Sequence, residues 1–452
     1  MFQADNKGGR SIASDSAETL LLKVFVSFLG FGASVLISRG LGPDGRGAYV
    51  LPIVAAGTVV TACKLGLEQA NVFLLGTERL SAQRLCGQNG LVTLVMGGLG
   101  VLGLLLAAPA FPALFADTPT VVLLLAGLTI PFSLHAQFSA GLLTLLGRVT
   151  WQFWAACAAG MMQIGLLLGL FVSPWFAVSP VLAVNLAAVV LTWAVTVRGF
   201  DRGQRVWIRW DAALLGYTLR QSLFLHLGMV LLFLHFRLDM FMIKGMTGTT
   251  ALGHYSLSVA LAETVLLATD SLAIAVLPRQ MGTTIAEAAG LALQGARVCL
   301  LIGLGLAALW TALGTAVIGI CFGGLFAPAY PPLVGLLPGM VFLGMQRMCG
   351  GPALRAGEPV RITTIYAISL LVNGALNLWW IPAWGPLGAA LASSVSYGVG
   401  AALFLVWTIR LAGVGLARGL LPRGADLAPL RRAAGEGVRA LQRACTAARY
   451  SR

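Results

Sequence analysis

The sequence predicts an all-α polytopic membrane protein with twelve transmembrane helices arranged in two six-helix lobes. Of its 452 residues, 58% are hydrophobic and only 10% are charged, whereas soluble domains carry about 25% charged residues. Continuous apolar runs of about 20 residues, long enough to cross a bilayer as helices, recur along nearly the whole chain. Spanning strands would be about ten residues long with alternating polarity, so the runs favour helices. An internal repeat, described below, predicts the two lobes.

The apolar runs place twelve spans along the chain. They cover residues 20–38, 48–75, 88–108, 119–146, 151–172, 176–197, 213–236, 249–276, 297–320, 331–351, 361–381 and 387–409. Residues 1–19 form a polar N-terminus that does not resemble a cleavable signal. The first six spans form an N-lobe within residues 20–198, the last six form a C-lobe within residues 212–410, and residues 199–211 form the loop between them.

Basic residues are concentrated on one side of the predicted membrane. The connections after the third, fifth, ninth and eleventh spans contain FPALFADT, SPWFAVSP, FGGLFAPAYPP and IPAWGP, which have no Lys or Arg. The positive-inside rule places the opposite, basic side in the cytoplasm. We therefore expect a bacterial inner-membrane protein with both termini cytoplasmic. Two connections on the outer side depart from this pattern, one with Arg39 and Arg46 and one with Arg237 and Lys244.

Residues 411–452 form a basic tail that contributes to the net charge of +14. Because the basic residues are spread over short loops and this tail, membrane orientation explains them better than a nucleic-acid partner, and none is predicted. Apolar residues recur in the tail at helical spacing: Leu427, Leu430, Ala434, Val438 and Leu441. The pattern fits either an amphipathic helix lying on anionic lipid or a disordered basic tail.

The residue types needed for enzymatic chemistry are not grouped in the sequence. Seven cysteines are scattered without a CxxC pair or a Cys/His cluster, so neither a zinc site nor a disulfide framework is predicted. The loops lack a nucleophile–base constellation and a glycine-rich phosphate loop, and they are too short for a catalytic domain. We therefore expect a transporter that uses no cofactor and is driven by an H⁺ or Na⁺ gradient or by the membrane potential.

An internal repeat relates the two halves. Residues 37–51 read ISRGLGPDGRGAYVL and residues 243–257 read IKGMTGTTALGHYSL, and five of these fifteen positions coincide at an offset of 206. A second pair, LFADTPTVVLLL from Leu114 and LFAPAYPPLVGL from Leu325, follows in the same order. An even number of spans per repeat predicts a pseudo-two-fold axis along the membrane normal. Transporters built from such repeats place the substrate site between the halves.

Several segments occur in an order typical of one transporter family. The first span ends ISRGLGPDGRGAY, the seventh ends FRLDMFMIKGMTGTTALGHYSLSVALAE, and LFAPAYPP, ALRAGEPVR and NGALNLWWIPAWGPLGAALASSVSY follow. With these segments the chain from Leu20 to about Arg410 resembles the polysaccharide transporter, O-antigen flippase-like branch of the MATE-like MOP exporter superfamily. The loop TERLSAQR lacks the motif typical of the major facilitator class, which also has two six-span lobes.

The resemblance implies two lobes around a central cavity that works by alternating access. Its implied substrate is a polyprenyl-pyrophosphate-linked oligosaccharide, moved from the cytoplasmic to the periplasmic leaflet for exopolysaccharide, O-antigen or capsule synthesis. The implied partners are this lipid-linked oligosaccharide, membrane lipids, and polysaccharide polymerase or export proteins. Drug exporters of the superfamily usually have an Asp in span 1, where this sequence has Lys23 and no acid.

Basic residues in the spans are candidate contacts for the pyrophosphate, because a charged headgroup needs a wet cationic path through hydrocarbon. The candidates are Lys23, Arg237, Lys64 and Arg220. Arg237 shares a helix face with His226 and Phe233, and its guanidinium suits a phosphate. Lys23 begins a stripe of polar and small residues that either lines the cavity or allows close helix packing. The stripe continues with Ser27, Gly30, Ser34 and Ser38.

Carboxylates in the spans are candidates for binding a coupling cation. These are Glu263, Asp270, Glu68 and Asp239. Glu263 and Asp270 share a face of the eighth span, and they are either a proton or sodium site or structural acids bonded to Arg or Ser. Glu68 follows Lys64 by four residues, so the two could form an ion pair. Asp239 could likewise pair with Arg237 or Lys244.

Asn373 and Asn377 share a face of the eleventh span and either bind sugar hydroxyls or join neighbouring helices. The lone histidines His135, His235 and His254 favour structural roles over proton relay. Two other functions stay open at this stage. One is a cation-coupled small-molecule, or multidrug, antiporter. The other is a membrane-embedded polysaccharide polymerase or glycosyltransferase, which would need larger loops than this chain has.

Overall fold

The computed structural model describes residues 12–76, 81–205, 208–209, 211–415 and 419, with side chains from Phe25 onwards except at 72, 73, 76, 221, 224 and 225. The side chain of Lys23 and the predicted amphipathic residues of the tail lie outside this description. Within the described residues the secondary structure consists of helices and turns, with no β-strand.

Fifteen α-helices follow one another along the described chain. They are α1 (Ile12–Cys63), α2 (Leu67–Gly76), α3 (Ala82–Ala110), α4 (Pro112–Phe115), α5 (Thr120–Leu145), α6 (Thr150–Phe171), α7 (Val178–Arg198), α8 (Ala212–Thr247), α9 (Thr249–Ala262), α10 (Thr264–Met281), α11 (Ile285–Val317), α12 (Tyr330–Met348), α13 (Gly350–Arg355), α14 (Pro359–Trp384) and α15 (Pro386–Ala412). A π-helical turn, Ile318–Phe322, and a 3₁₀ turn, Gly324–Ala329, connect α11 to α12.

Eleven of the described helical stretches are long and apolar enough to cross a membrane. The first of them, Phe25–Cys63, has 39 residues and would be about 58 Å long at 1.5 Å per residue, nearly twice the thickness of the hydrocarbon core. It is kinked at Gly42, whose φ of 67° and ψ of −177° are not helical. The kink separates the first predicted span from the second, so the twelve predicted spans all correspond to described helices.

Two predicted spans are not continuous helices. The second, residues 48–75, is interrupted at Lys64, Leu65 and Gly66, where Leu65 and Gly66 have φ values of 51° and 74°. The eighth, residues 249–276, is interrupted at Glu263, between α9 and α10. Hydropathy does not detect such breaks, because the residues on both sides remain apolar.

The seventh and ninth spans are longer than predicted. Helix α8 continues from residue 236 to Thr247, so Arg237 and Lys244 lie within the helix and not in a connection. Helix α11 begins at Ile285, twelve positions before the predicted start of the ninth span. Polar residues made the predicted seventh span end too early and the predicted ninth span begin too late. The backbone stays helical through these residues.

The described chain divides into two compact units. Unit 1 consists of the described residues up to Ser256 together with Ile318–Ala327, and unit 2 consists of Leu257–Val317 and the described residues from Pro328 onwards. In unit 1, α1 packs on α5 and α6, and α5 packs on α3 and α7. In unit 2, α12 and α15 pack against each other and against α11. The lobe boundary at residues 199–211 stays a prediction.

Small residues allow the close packing of these helices. In unit 1, a Cβ atom on Gly97 would lie 2.9 Å from Pro131. In unit 2, a Cβ atom on Gly339 would lie 2.8 Å from the Cα atom of Ser394, and the Ser394 hydroxyl donates to the carbonyl of Gly335. Interfaces of this kind are typical of helices packed within a membrane, where dispersion contacts replace a hydrophobic driving force.

Candidate functional site

The two repeated segments, residues 37–50 and 243–256, meet inside unit 1. Gly42 and Gly248, which are equivalent at the offset of 206, have φ values of 67° and 92° with ψ near 180° in both. Both therefore have a conformation that only glycine adopts readily. The shared sequence thus corresponds to a shared backbone turn, which kinks α1 and ends α8.

The segments contact each other through a second pair of equivalent glycines. A Cβ atom on Gly47 would lie 2.0 Å from the carbonyl oxygen of Thr249, and one on Gly253 would lie 1.8 Å from that of Pro43. Pro43 and Thr249 are themselves equivalent at the same offset. The contact is therefore reciprocal, as a local two-fold axis requires, and it brings backbone against backbone because no side chain intervenes.

A polar contact lies beside this reciprocal one. The Thr250 hydroxyl donates to Oδ1 of Asp44 at 3.1 Å, and these two residues are also 206 positions apart. The guanidinium of Arg46 is 5% exposed and donates to the hydroxyls of Ser34, Ser38 and Ser256. Ser34 and Ser38 belong to the stripe that was predicted to line a cavity, and in unit 1 they bind Arg46.

The basic residues that departed from the positive-inside pattern have local partners in unit 1. Arg39 donates to the carbonyls of Ile320 and Cys321 in the π-helical turn. The ammonium of Lys244 donates to the Thr249 hydroxyl at 2.7 Å and lies 3.4 Å from a carboxylate oxygen of Asp117. These side chains bind exposed carbonyls and polar groups at the ends of helices, which accounts for their position on a side otherwise poor in basic residues.

The break in the second span places a charged pair at the end of α1. The Nζ atom of Lys64 is 3.0 Å from Oε2 of Glu68, and their side chains are 20% and 33% exposed. The pair bridges the break, because Lys64 follows the last residue of α1 and Glu68 lies in the first turn of α2. The predicted ion pair is therefore present, and it lies at an interruption of a membrane helix.

Side chains of α8 bind the carbonyls that this break leaves without helical partners. The Ser222 hydroxyl lies 3.1 Å from the carbonyl oxygen of Leu65 and 2.9 Å from that of Thr218 in its own helix, and Nε2 of His226 lies 3.2 Å from the carbonyl oxygen of Ala62. Ser222 also lies against Gly66, where a Cβ atom would be 2.7 Å from the Ser222 carbonyl oxygen. The sequence prediction missed Ser222, and the signal that could have found the break is the apolar run interrupted by Lys64-Leu65-Gly66.

The other predicted residues of unit 1 lie on α8. Asp239 is 2% exposed and accepts hydrogen bonds from the hydroxyl of Tyr255 and the amide of Met240. Lys244, one of its two predicted partners, instead binds Asp117 and Thr249. Arg237 is half-buried and Arg220 is exposed. The hydroxyl of the fully buried Tyr255 is therefore one partner of the Asp239 carboxylate.

In unit 2 the two candidate coupling acids have different surroundings. Asp270 lies on α10, and its Oδ1 atom is 3.0 Å from Nε of Arg347 on α12. This contact corresponds to the structural alternative, in which the acid is bonded to an arginine on a neighbouring helix. Glu263 is half-buried at the break between α9 and α10. Both residues stay candidates for the coupling cation.

Asn373 and Asn377 are both fully buried. The Asn373 amide lies 3.2 Å from the hydroxyls of both Ser393 and Ser396 on α15, and the Asn377 amide donates to Oδ1 of Asn373 at 2.9 Å. These contacts correspond to the interhelical alternative, in which the two asparagines join α14 to α15.

No family model matches the chain, and no curated protein matches it. Among solved structures, the lipid II flippase MurJ in an inward closed conformation is 15% identical, with a TM-score of 0.69 over 87% of this chain and 89% of that one. An inward-facing multidrug resistance MATE transporter of the MOP superfamily is 14% identical, with a TM-score of 0.67 over 86% and 95%. The MATE multidrug transporter DinF-BH is 16% identical, with a TM-score of 0.69 over 92% and 100%. The chain therefore has the all-helical fold of these solved transporters, and eleven of its described helical stretches are long and apolar enough to cross a membrane.

Proposed function

We propose that this protein is an inner-membrane flippase that carries polyprenyl-pyrophosphate-linked oligosaccharide from the cytoplasmic to the periplasmic leaflet. It would do so by alternating access and would serve exopolysaccharide, O-antigen or capsule synthesis. The lipid tails stay in the bilayer while the anionic headgroup passes along the protein. Such a path needs cationic side chains within the membrane and does not need a catalytic group.

The observation that carries this proposal is the position of Lys64 at an interrupted membrane helix. An ammonium within a span is costly and usually marks a substrate or ion pathway. Interrupted helices in transporters of this kind form substrate and ion sites, and the N-terminal ends of half-helices attract anions. Here Lys64 lies three positions before Leu67, the first residue of α2, and its side chain stays 20% exposed beside Glu68. The accessible part of the ammonium and the helix end would both attract a pyrophosphate.

Two further features support a lipid-linked anion over a cationic drug. The first span contains Lys23 and, from residue 20 to residue 38, no carboxylate, although the resemblance implies an Asp there in drug exporters. A solved neighbour of the same fold is a flippase of a lipid-linked precursor. We expect Lys23, Lys64 and Arg237 to contact the pyrophosphate and Arg220 to attract it at the cytoplasmic end.

The second candidate is a cation-coupled small-molecule antiporter. The observation that favours it is the MATE multidrug transporter DinF-BH, whose TM-score of 0.69 equals that of the lipid II flippase. The two candidates differ in the charge of their substrate. Basic residues in the pathway suit an anion, whereas export of cationic drugs needs carboxylates that the first span does not supply.

A reconstituted assay distinguishes the two. The purified full chain in proteoliposomes should move a fluorescent polyprenyl-pyrophosphate oligosaccharide between leaflets, and K64A and R237A should each slow this at least about tenfold, as expected when a charge-assisted phosphate contact is lost. Arg361→Gln is the matched control, because Arg361 pairs with Glu358 at the start of α14 and is not among the residues assigned to the substrate path. If K23A, K64A and R237A all transport at the unaltered rate, the cationic pathway is wrong. Drug uptake without lipid movement would favour the antiporter.

A strain lacking the gene gives an independent test. We expect it to accumulate lipid-linked repeat units of finished length on the cytoplasmic leaflet, because synthesis continues while translocation stops. Accumulation of incomplete units would indicate a transferase. The full chain should restore export of the polysaccharide, and K64A should not, at equal amounts of protein in the membrane.

A further inference from the structure

A second polar site lies inside unit 1, away from the residues assigned to transport. It is an open pocket bounded by α3, α5, α7 and the loop that follows α7. Its polar lining consists of Asn89, His135, Ser139, Gln204 and Arg205. The loop residues place the pocket at the end of unit 1 that the charge distribution assigns to the cytoplasm.

The two amide side chains in the lining face the pocket as hydrogen-bond donors. The Oδ1 atom of Asn89 accepts from Nδ2 of Asn71 at 2.6 Å, and both residues are 1% exposed. The Oε1 atom of Gln204 accepts from the Asp201 amide at 3.2 Å. Since each carbonyl oxygen already has a donor from the protein, the amide NH₂ groups are left for a ligand.

Arg205 brings a fixed positive charge to the same pocket. Its Nε atom donates to the carbonyl of Phe200 at 2.9 Å, and its Nη2 atom donates to that of Arg198 at 2.9 Å. Two backbone contacts hold the planar guanidinium in place, and its bonds are to neutral carbonyls. The neighbouring carboxylate of Asp201 binds Arg148 at 2.8 Å.

The histidine in the lining also has its acceptor nitrogen occupied. The Nε1 atom of Trp193 lies 3.3 Å from Nδ1 of His135. Because an indole N–H can only donate, Nδ1 accepts, and the neutral ring carries its proton on Nε2. The Ser139 hydroxyl lies 3.3 Å from the same Nδ1 and can turn to suit a ligand. The described lining therefore combines donors and one cation, with its carbonyl and imidazole acceptors already engaged.

We propose that this pocket binds a phosphoryl group, either as inorganic phosphate or as the phosphate of an anionic lipid headgroup. A phosphate offers several acceptor oxygens and suits amide donors together with a guanidinium. A metal cation or an ammonium is disfavoured there, because it would meet hydrogen-bond donors and a positive charge. Arg198 and Arg202 lie at or in the same loop, and their charges favour entry of an anion. The bound phosphoryl group would join the loop to α3 and α5.

The test measures phosphate binding by the purified full chain in nanodiscs of neutral phosphatidylcholine. We expect inorganic phosphate to bind saturably and to raise the melting temperature, because a ligand of the folded state stabilises it. R205Q should weaken binding about tenfold or more, and N89L should weaken it several-fold, since each removes a donor from the pocket. R202Q is the control, because Arg202 lies in the same loop but does not line the pocket. The R202Q variant should bind phosphate as the unaltered chain does.

Nanodiscs containing phosphatidylglycerol distinguish the source of the phosphoryl group. If the site takes a lipid headgroup, phosphatidylglycerol should raise the melting temperature without added phosphate, and R205Q should remove most of that rise. If the site takes the free anion, the melting temperature should rise only when inorganic phosphate is added. The proposal is wrong if neither raises it in the unaltered chain, or if R205Q and R202Q respond alike. Melting of each variant without ligand verifies folding, and Arg205→Lys, which keeps the charge, should retain part of the binding.

Discussion

Gly47 and Gly253 lie at equivalent positions of a repeated segment, and each packs against the backbone of the other segment. Gly47 touches the carbonyl of Thr249, and Gly253 touches that of Pro43. Contacts this close cannot accept a methyl group, so the two glycines fix how α1 and the α8–α9 connection meet within unit 1. The repeat detected in the sequence is thus a packing relationship as well as a trace of duplication.

Alanine at either glycine should destabilise this contact. Gly47→Ala and Gly253→Ala place a Cβ atom about 2 Å from a carbonyl oxygen, so the backbones must separate. We expect each to lower the free energy of unfolding by about 1–3 kcal/mol, the usual cost of overpacking, as measured by thermal unfolding in detergent. Gly30→Ala is the control, because a Cβ atom there has no neighbour within 4 Å. Equal melting temperatures for all three variants would contradict the reciprocal contact.

Ser222→Ala should weaken the interrupted second span. The substitution removes a hydroxyl shared between the carbonyls of Leu65 and Thr218, and the Leu65 acceptor then loses its partner from α8 in a poorly hydrated setting. We expect a loss of about 1–3 kcal/mol, seen as a lower melting temperature. Thr58→Val should have little effect, because the Thr58 hydroxyl binds a carbonyl of its own helix. A Ser222→Ala variant as stable as Thr58→Val would argue against this role.

Reversing the Lys64–Glu68 pair separates its structural and transport roles. K64E/E68K keeps an ion pair across the break, so stability should change by less than about 1 kcal/mol. Transport should fall to the level of K64A, because the carboxylate now precedes the N-terminus of α2 and repels a phosphate. Folding is checked by melting temperature and transport by leaflet exchange of the lipid-linked substrate. If the reversed pair transports normally, the pair is only structural.

Glu263 and Asp270 should respond differently when neutralised. Asp270→Asn breaks the contact with Arg347, which is partly exposed, and we expect a loss of about 1 kcal/mol with unchanged dependence on the ion gradient. Glu263→Gln, at the break between α9 and α10, should instead reduce that dependence. The measurement compares transport into proteoliposomes with imposed H⁺ or Na⁺ gradients. The opposite result, loss of coupling in Asp270→Asn alone, would assign the coupling cation to Asp270.

Acidification should loosen the loop after α7. The hydrogen bond from Arg148 holds the pKa of the fully exposed Asp201 carboxyl below its usual value. A depressed pKa in the folded state stabilises the fold above the pKa of the unfolded chain, about 3.9, and this contribution disappears as the pH falls through the lower folded value. The melting temperature of the unaltered chain should therefore converge on that of D201N below about pH 4. A constant difference between them would contradict this linkage.

Hydropathy predicted the helical spans because lipid burial depends on local composition. The prediction located all twelve spans and recognised residues 37–51 and 243–257 as a repeat, but the backbone turn at Gly42 and Gly248 appeared only in the structure. It failed where a helix is broken at a single charged residue inside an otherwise apolar stretch, as at Lys64 and Glu263. It also stopped α8 before Arg237, because charged residues lower the hydropathy of a segment that remains helical.

The sequence by itself determined that this chain is a helical membrane protein with a duplicated segment, since span length, apolar composition and glycine spacing are properties of consecutive residues. Tertiary structure decided the partners of the charged and polar side chains. Asp270 meets Arg347, Asp239 meets Tyr255, and Asn373 is enclosed by α15, because these pairs lie far apart in the chain and meet only when the helices pack. The pocket at Arg205 likewise exists only where three helices and a loop converge.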